Sequence, residues 1–157
     1  MTDAHSQPFF GKNTALFVQT RAKNEPFIFL KCIKIKDDDS WEKPSLGEGK
    51  TIKCKLEEII MMLRVLNHKL ESWTTVHIFK DNKTQISFNW KREKEDVLWI
   101  NIGSYRKKLL FAQVEIFKLL LGHIIHEKIE NATIPSFKMT ENNELNSLIV
   151  TEEREGF

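Results

Sequence analysis

Residues 50–80 read KTIKCKLEEIIMMLRVLNHKLESWTTVHIFK, and two different apolar periods follow one another in this stretch. Its first six residues alternate, with Ile52 and Cys54 on one side and polar side chains on the other, which is typical of a short strand with one basic face. From residue 56 to residue 70, apolar side chains recur every three to four positions, and two glutamates occupy the first turn, where the helix dipole favours acid. A β-rich run follows at once. The stretch therefore predicts strand, helix and strand in an α+β fold.

Further strands are predicted on both sides of this stretch. The β-rich runs, bounded by turn residues or charged segments, are residues 15–20, 27–36, 50–55, 73–80, 84–91 and 97–102. From about residue 109 to residue 130, apolar residues in steps of four and three predict a long amphipathic helix. We therefore predict an antiparallel sheet of about five to six strands, packed on one face by a long C-terminal helix and a second helix.

The chain length of 157 residues fits one domain. We expect an N-terminal arm over residues 1–12, one α+β nucleic-acid-binding domain over residues 13–132, and an acidic, mobile tail over residues 133–157. No stretch approaches the ~18 apolar residues of a membrane helix, and the N-terminus lacks a signal-peptide pattern. Two isolated cysteines favour reduced thiols. These features predict a protein without a membrane partner that is cytoplasmic, and nucleoid-associated or, in a eukaryote, nuclear.

The net charge of +2 is divided unevenly along the chain. Residues 37–49 carry one Lys/Arg against five Asp/Glu, and residues 131–157 carry two against five. The rest of the chain is basic, with six against two over residues 1–36 and fifteen against ten over residues 50–130. A basic body with an acidic loop and tail is typical of a polyanion binder, although lysines also serve simply to solvate a surface.

Alternation within the strands separates a core face from a second face. We expect Val76 and Ile78 to face the core, which puts Trp73, His77 and Phe79 on the opposite side. The other predicted core positions are Ile86, Phe88, Trp90, Leu98, Ile100 and Ile102. The second face, with a basic run before the last helix, gives the candidate nucleic-acid-binding residues Lys53, Lys55, Trp73, His77, Phe79, Lys91, Trp99, Arg106, Lys107 and Lys108.

Rings, amides and ammonium groups on one sheet face suit single-stranded nucleic acid, because bases stack on rings while lysines follow the phosphates. The competing interpretation is that the rings lie in a second core, under the first helix or the N-terminal hairpin. The sequence favours single-stranded DNA binding with little sequence specificity, in replication, repair or transcription. The alternatives are an RNA-binding protein and a protein-interaction adaptor that docks acidic partners.

Catalytic and metal-binding patterns are weak. His123 and His126 are three residues apart on a helix and lie near Glu127, but the sequence offers no third ligand, so no metal is expected. The acidic run at residues 37–39 fits a solvated loop or a repulsive gate, and no phosphate-binding loop or nucleophile elbow occurs. We therefore predict that the protein is not an enzyme and carries no cofactor.

The order of the predicted strands and helices resembles that of a known family. The runs KTIKCKLEEIIMMLRVL, TVHIFK, TQISFNW, LWINIG and FAQVEIFKLLLGHII resemble the sheet-plus-helix unit of single-stranded-DNA-binding domains of the Whirly and positive-transcription-cofactor type. They are also similar to the archaeal thermophile single-stranded-DNA-binding protein. The resemblance implies a dimer built by helices and a curved sheet that binds single strands. It would place Lys53, Lys55, Trp73, Phe79, Lys91 and Trp99 on the binding face.

Two further features suggest protein partners. The end of the chain is similar to the acidic tip of bacterial single-stranded-DNA-binding proteins, which implies recruitment of replication or repair proteins through Glu152, Glu153, Glu155 and Phe157. The last helix is apolar around more than one stripe, because Ile116, Leu119, Leu120 and Ile125 lie outside its main apolar line. We expect a homodimer through this helix, unless the first helix and the arm cover it.

Overall fold

The computed structural model describes residues 4–91 and 94–133. The first half of the chain forms a four-stranded antiparallel sheet in which each strand pairs with the next. Its strands are β1 (His5–Phe10), β2 (Thr14–Thr20), β3 (Phe27–Lys34) and β4 (Lys50–Lys55). A short 3₁₀ turn, Pro44–Leu46, lies in the loop between β3 and β4. Helix α1 (Leu56–Leu66) follows β4 directly.

The second half repeats this order with a second four-stranded antiparallel sheet and a second helix. Its strands are β5 (Ser72–Phe79), β6 (Asn82–Lys91), β7 (Lys94–Ile102) and β8 (Tyr105–Leu109), followed by α2 (Phe111–Asn131). Four strands and a helix thus occur twice in succession. The strands β4 and β5 that flank α1 are each an edge strand of their sheet.

Polar side chains define where both helices begin. The Glu58 carboxylate accepts a hydrogen bond from the Lys55 backbone N–H at 3.0 Å, and the Gln113 side-chain oxygen accepts one from the Leu110 N–H at 3.1 Å. In each case a residue in the first turn satisfies a backbone donor that has no partner within the helix. These bonds stabilise two helices that each begin within two residues of the end of a strand.

One hydrophobic cluster joins the two sheets and the two helices. Phe117 of α2 is fully buried, and its ring centroid lies 5.7 Å from that of Phe9 in β1 and 6.1 Å from that of Phe88 in β6. The Trp90 indole N–H donates a 2.7 Å hydrogen bond to the Val65 carbonyl of α1. The helices therefore lie on the inner faces of both sheets, and the opposite faces point outwards.

The α+β class is confirmed, but the prediction of one sheet with five to six strands is wrong, because the described residues form eight strands in two sheets of four. Two strands were missed. Residues 5–10, expected in an arm, form β1, an edge strand that tolerates Pro8. The other missed strand, β8, reads YRKKL and has little apolar content. The predicted acidic tail, apart from Thr133, lies outside the described residues.

Within the described ranges, no helix combines the length and the apolar character that crossing a bilayer requires.

Candidate nucleic-acid interface

The outward side of the first sheet carries aromatic and basic side chains at alternate positions. In β3, the buried residues Ile28 and Leu30 alternate with the partly buried residues Phe27, Phe29 and Lys31. Because successive side chains of a strand point to opposite faces, the second set lies away from the core. We call the outward side of β1–β4 the outer face of the first sheet.

Strand register brings these side chains into rows across the outer face. Phe29 of β3 lies opposite Gln19 of β2 and Lys53 of β4. In the adjacent row, Lys31 lies opposite Phe17 on one side and Thr51 on the other. Directly opposite residues in a sheet lie about 5 Å apart, so each row presents a ring, an ammonium group and a neutral polar group side by side.

The cations of this face lie over its rings. The Lys53 ammonium is 4.3 Å from the Phe27 ring centroid, and the Arg21 guanidinium is 5.1 Å from the Phe29 centroid. The Lys31 ammonium lies 5.7 Å from the Phe17 centroid. Within about 6 Å of a ring, a cation is attracted by the negative ring face. The contacts hold positive charge close to flat apolar surfaces.

The acidic and basic residues are unevenly represented in the strands of the first sheet. Strands β1 to β4 contain five lysines and no aspartate or glutamate. Next to these strands, the Glu25 carboxylate binds the Arg21 guanidinium at 3.2 Å. A sheet with this composition produces a positive potential over its outer face and attracts polyanions.

A groove separates the edge strands β4 and β5 and adjoins the outer face. It consists of two depressions of about 660 and 430 Å³ that share Lys53 and His77 as lining residues. The larger depression is also lined by Lys55 and Trp73, and the smaller by Phe79, among others. Lys53 therefore lies both on the outer face and in the groove.

Two glutamates, Glu57 and Glu58, line the larger depression, and Glu58 is paired with a histidine. The Glu58 carboxylate contacts the His77 ring nitrogen Nε2 and also accepts the Lys55 N–H bond at the start of α1. Cys54 lies beside this pair and is fully buried, and its burial raises the pKa of the thiol. Glu58 is thus held in hydrogen bonds within the groove, and Cys54 stays a neutral thiol.

The outer face of the second sheet, the outward side of β5–β8, carries a smaller patch. Trp99 of β7 lies opposite Asn89 of β6 and Lys108 of β8. The Arg106 guanidinium is 4.6 Å from the Trp99 ring and donates to the Asn101 side-chain oxygen at 3.1 Å. This patch combines one aromatic ring with two cations.

The structure brings the predicted residues together in two groups. Lys53, Lys55, Trp73, His77 and Phe79 line the groove, while Trp99, Arg106 and Lys108 lie on the outer face of the second sheet.

Two predicted residues lie apart from both groups. Lys91 is exposed at the end of β6. Lys107 points inwards, where burial lowers the pKa of its ammonium group and Nζ donates to the Lys108 carbonyl at 3.1 Å. Because β8 is a strand, its middle lysine faces the opposite way from its two basic neighbours.

The predicted orientation of β5 is wrong. Val76 and Ile78, expected in the core, are 51% and 66% exposed, whereas Trp73 lies opposite Phe88 on the core side with the ring centroids 6.0 Å apart. Apolar residues occupy both faces of this edge strand, so alternation alone does not identify its buried side. Trp73 and His77 still reach solvent, because the core side of β5 opens into the groove. The buried positions of β6 and β7 are as predicted.

Sequence reasoning missed the richest part of the interface. The aromatic and basic residues of the first outer face, which were not among the candidates, are Phe17, Arg21, Phe27, Phe29 and Lys31. The signal was present in the sequence FIFLKC, where two phenylalanines and a lysine alternate with three residues that are buried in the structure. Applying the period of two to this run would have found the face.

The sequence matches no protein-family model and no curated protein. Solved structures do resemble the fold. A chain from a guide-RNA-binding protein complex bound to a guide RNA aligns with a TM-score of 0.61 and 11% identity, over 85% of this chain and 96% of that chain. A chain from the Trypanosoma brucei MRP1/MRP2 structures aligns with the same score and identity, over 85% of this chain and 90% of that chain. At this identity the likeness establishes a shared fold.

Proposed function

We propose that this protein binds single-stranded RNA through the outer face of the first sheet and the adjoining groove between β4 and β5. The observation that carries the proposal is the set of phenylalanine rings flanked by cations on a sheet whose strands contain no carboxylate. Unstacked bases pack on such rings for ~1–3 kcal/mol each, while the lysines contact phosphates. A protein that bound only duplexes would gain little from exposed rings.

Two considerations favour RNA over the single-stranded DNA that the sequence alone suggested. The solved structures that share the fold include a guide-RNA-binding complex bound to its RNA. In addition, Gln19 and Thr51 lie on the same face as the rings and offer donors and acceptors for a ribose 2′-hydroxyl, the group that distinguishes RNA from DNA. Preference for RNA is therefore the expected result, with weaker binding of DNA through the same rings and lysines.

The test is a set of fluorescence anisotropy titrations with a labelled single-stranded RNA, the single-stranded DNA of the same sequence, and the corresponding RNA duplex. Single-stranded RNA should bind most tightly, and log Kd should change with log salt by about 0.7 for each phosphate contacted. The intrinsic fluorescence of Trp73 should be quenched, because this ring lines the groove.

The result also separates the proposal from its alternatives. Tighter binding of DNA than of RNA would restore the single-stranded-DNA hypothesis for the same face. Equal and weak binding of all three nucleic acids, without tryptophan quenching, would leave only a diffuse basic surface and would favour a protein adaptor that docks acidic partners. The proposed mechanism is stacking with counterion release and includes no catalytic step.

We further propose that two copies associate through α2. Ile116, Leu119 and Ile129 of this helix are 46%, 71% and 53% exposed, although α2 also contributes buried side chains to the core. Exposed apolar side chains on a helix that is already packed on one side are typical of a second, intermolecular contact. The Whirly-type resemblance of the sequence likewise implies a dimer built by helices.

A further inference from the structure

Three metal-ligating side chains from two distant parts of the chain meet on the surface of α2. The Glu127 carboxylate accepts contacts from two imidazoles, with Oε1 lying 3.1 Å from His5 Nε2 and Oε2 lying 3.2 Å from His123 Nε2. His5 is 122 positions from Glu127 in the sequence. The two imidazole rings are 5.2 Å apart and nearly perpendicular. We call these three residues the His5–His123–Glu127 cluster.

The positions of α2 and β1 bring the three side chains of the cluster together. His123 and Glu127 are four residues apart on α2, so their side chains lie on the same face one turn apart. His5 is the first residue of β1, whose Phe9 packs against Phe117 further along the same helix. The core contact between β1 and α2 therefore holds His5 over the His123 and Glu127 pair. Sequence spacing could not reveal this third ligand.

The donor atoms fit the coordination geometry of zinc. Imidazole nitrogen and carboxylate oxygen bind Zn²⁺ at ~2.0–2.2 Å, so two ligands of a tetrahedral ion lie about 3.3 Å apart. Each imidazole nitrogen lies near this spacing from one of the two Glu127 oxygens, and one donor atom from each residue can be chosen so that all three lie within 4.8 Å of one another. Bringing the cluster onto one ion therefore needs movements of at most about 1.5 Å.

The surroundings of the cluster are compatible with a cation. His5 and Glu127 are 27% and 20% exposed, which fixes them, whereas the 56% exposed His123 can adjust and leaves one side open for a water ligand. The neighbouring Lys128 does not occupy the site, because its ammonium group donates to the backbone carbonyls of Ala22 and Glu25.

We propose that His5, His123 and Glu127 bind a divalent transition-metal ion of the zinc type, with water as the fourth ligand. The ion would tie β1, an edge strand at the start of the described chain, to α2. The site is separate from the aromatic and basic outer face and does not rest on the proposed function.

The test uses the full chain freed of any affinity tag and titrated with Co²⁺ as a visible probe. Tetrahedral coordination should give intense d–d absorption bands that saturate at one Co²⁺ per chain and disappear when Zn²⁺ is added. His123→Ala and Glu127→Gln should each weaken metal binding by more than the roughly 10- to 100-fold that loss of an outer-shell partner causes. Zn²⁺ should raise the melting temperature of the wild type but not of these variants.

Two matched variants locate the site. His126→Ala removes a histidine of the same helix that is 74% exposed and pairs with Glu130 at 3.7 Å, and it should leave the Co²⁺ spectrum unchanged. His77→Ala disrupts a second group of possible ligands in the described part of the chain, formed with Cys54 and Glu58, and should also leave the Co²⁺ spectrum unchanged. The proposal is overturned if the wild type gives no saturable spectrum, or if His123→Ala binds Co²⁺ as tightly as the wild type.

Discussion

Phe29→Ala tests whether the outer face of the first sheet binds RNA by base stacking. The Phe29 ring lies 5.5 Å from Phe27 and 5.1 Å from the Arg21 guanidinium, between Gln19 and Lys53. Removing one base-stacking ring costs ~1–3 kcal/mol of binding free energy. At 1.4 kcal/mol for each factor of ten, Kd for single-stranded RNA should rise by about 5- to 150-fold.

The change should leave the fold intact, because Phe29 points away from the core and its removal opens no internal cavity. Circular dichroism and thermal melting of the variant check this point before any titration. Phe111→Ala is the matched control, since Phe111 is 60% exposed at the start of α2 and lies outside the outer face. Its Kd should equal that of the wild type.

A second substitution separates stacking from charge on the same row. Lys53→Gln keeps a polar, slightly shorter side chain but removes the cation, so the salt dependence of log Kd should decrease by about 0.7, the value for one phosphate contact on a single strand. Phe29→Ala should leave this slope unchanged. If a folded Phe29→Ala variant bound single-stranded RNA as tightly as the wild type, stacking on this face would be refuted.

Three further predictions concern assembly and stability. Leu119→Glu should convert the proposed dimer to a monomer, as measured by light scattering. Leu46→Glu changes a similarly exposed leucine, 69% exposed, and should leave the dimer intact. A dimer that survived Leu119→Glu would exclude α2 as the interface. Burial raises the pKa of the Cys32 thiol from 9.0 to about 12. The contribution of this thiol to the free energy of unfolding is therefore fully present below pH 9 and is lost as the pH rises toward 12. In urea unfolding, the wild type should lose about 1 kcal/mol per pH unit more than Cys32→Ala over this range, and parallel curves would contradict the assignment. Phe117→Ala should lower the free energy of unfolding by about 3–5 kcal/mol, and a loss below 1 kcal/mol would show that this ring does not join the two sheets.

Elements with a clear period could be predicted from the sequence. In β6 and β7, Ile86, Phe88 and Ile100 alternate with polar residues, and their burial follows directly from that alternation. The helices were also predictable, although α1 ends at Leu66, four residues before its apolar period suggested. A residue with positive φ, His68 at 59°, follows the end of the helix and turns the chain toward β5.

The division into two sheets could not be predicted, because strand pairing is a long-range property. The pairing of β1 with β2 depends on a strand with few apolar residues and a proline, and the pairing of β7 with β8 depends on a run of basic residues. Both are held by the backbone ladder and by single buried residues such as Phe9 and Leu109. A pattern of apolar residues carries little information about such strands.

Only part of the candidate site could be predicted, because the rest of it also depends on long-range strand pairing. Lys53 and Lys55 belong to a strand with strict alternation and were identified, whereas the rings of β3 looked like core because phenylalanine is usually buried. Only the register of β3 against β4 shows that Phe29 and Lys53 are neighbours. The His5–His123–Glu127 cluster likewise depends on a tertiary contact between the two ends of the described chain.

RNA binding by the outer face of the first sheet is tested most directly by photo-cross-linking. The protein is cross-linked to a single-stranded RNA that contains a photoreactive uridine, and the linked peptides are mapped by mass spectrometry. We expect cross-links within residues 14–55, at the rings of β2 and β3 and at β4, together with β5 across the groove. Cross-links confined to residues 97–108, or to α2, would contradict it, because the RNA would then bind the second sheet or the helical side instead of the outer face of the first sheet.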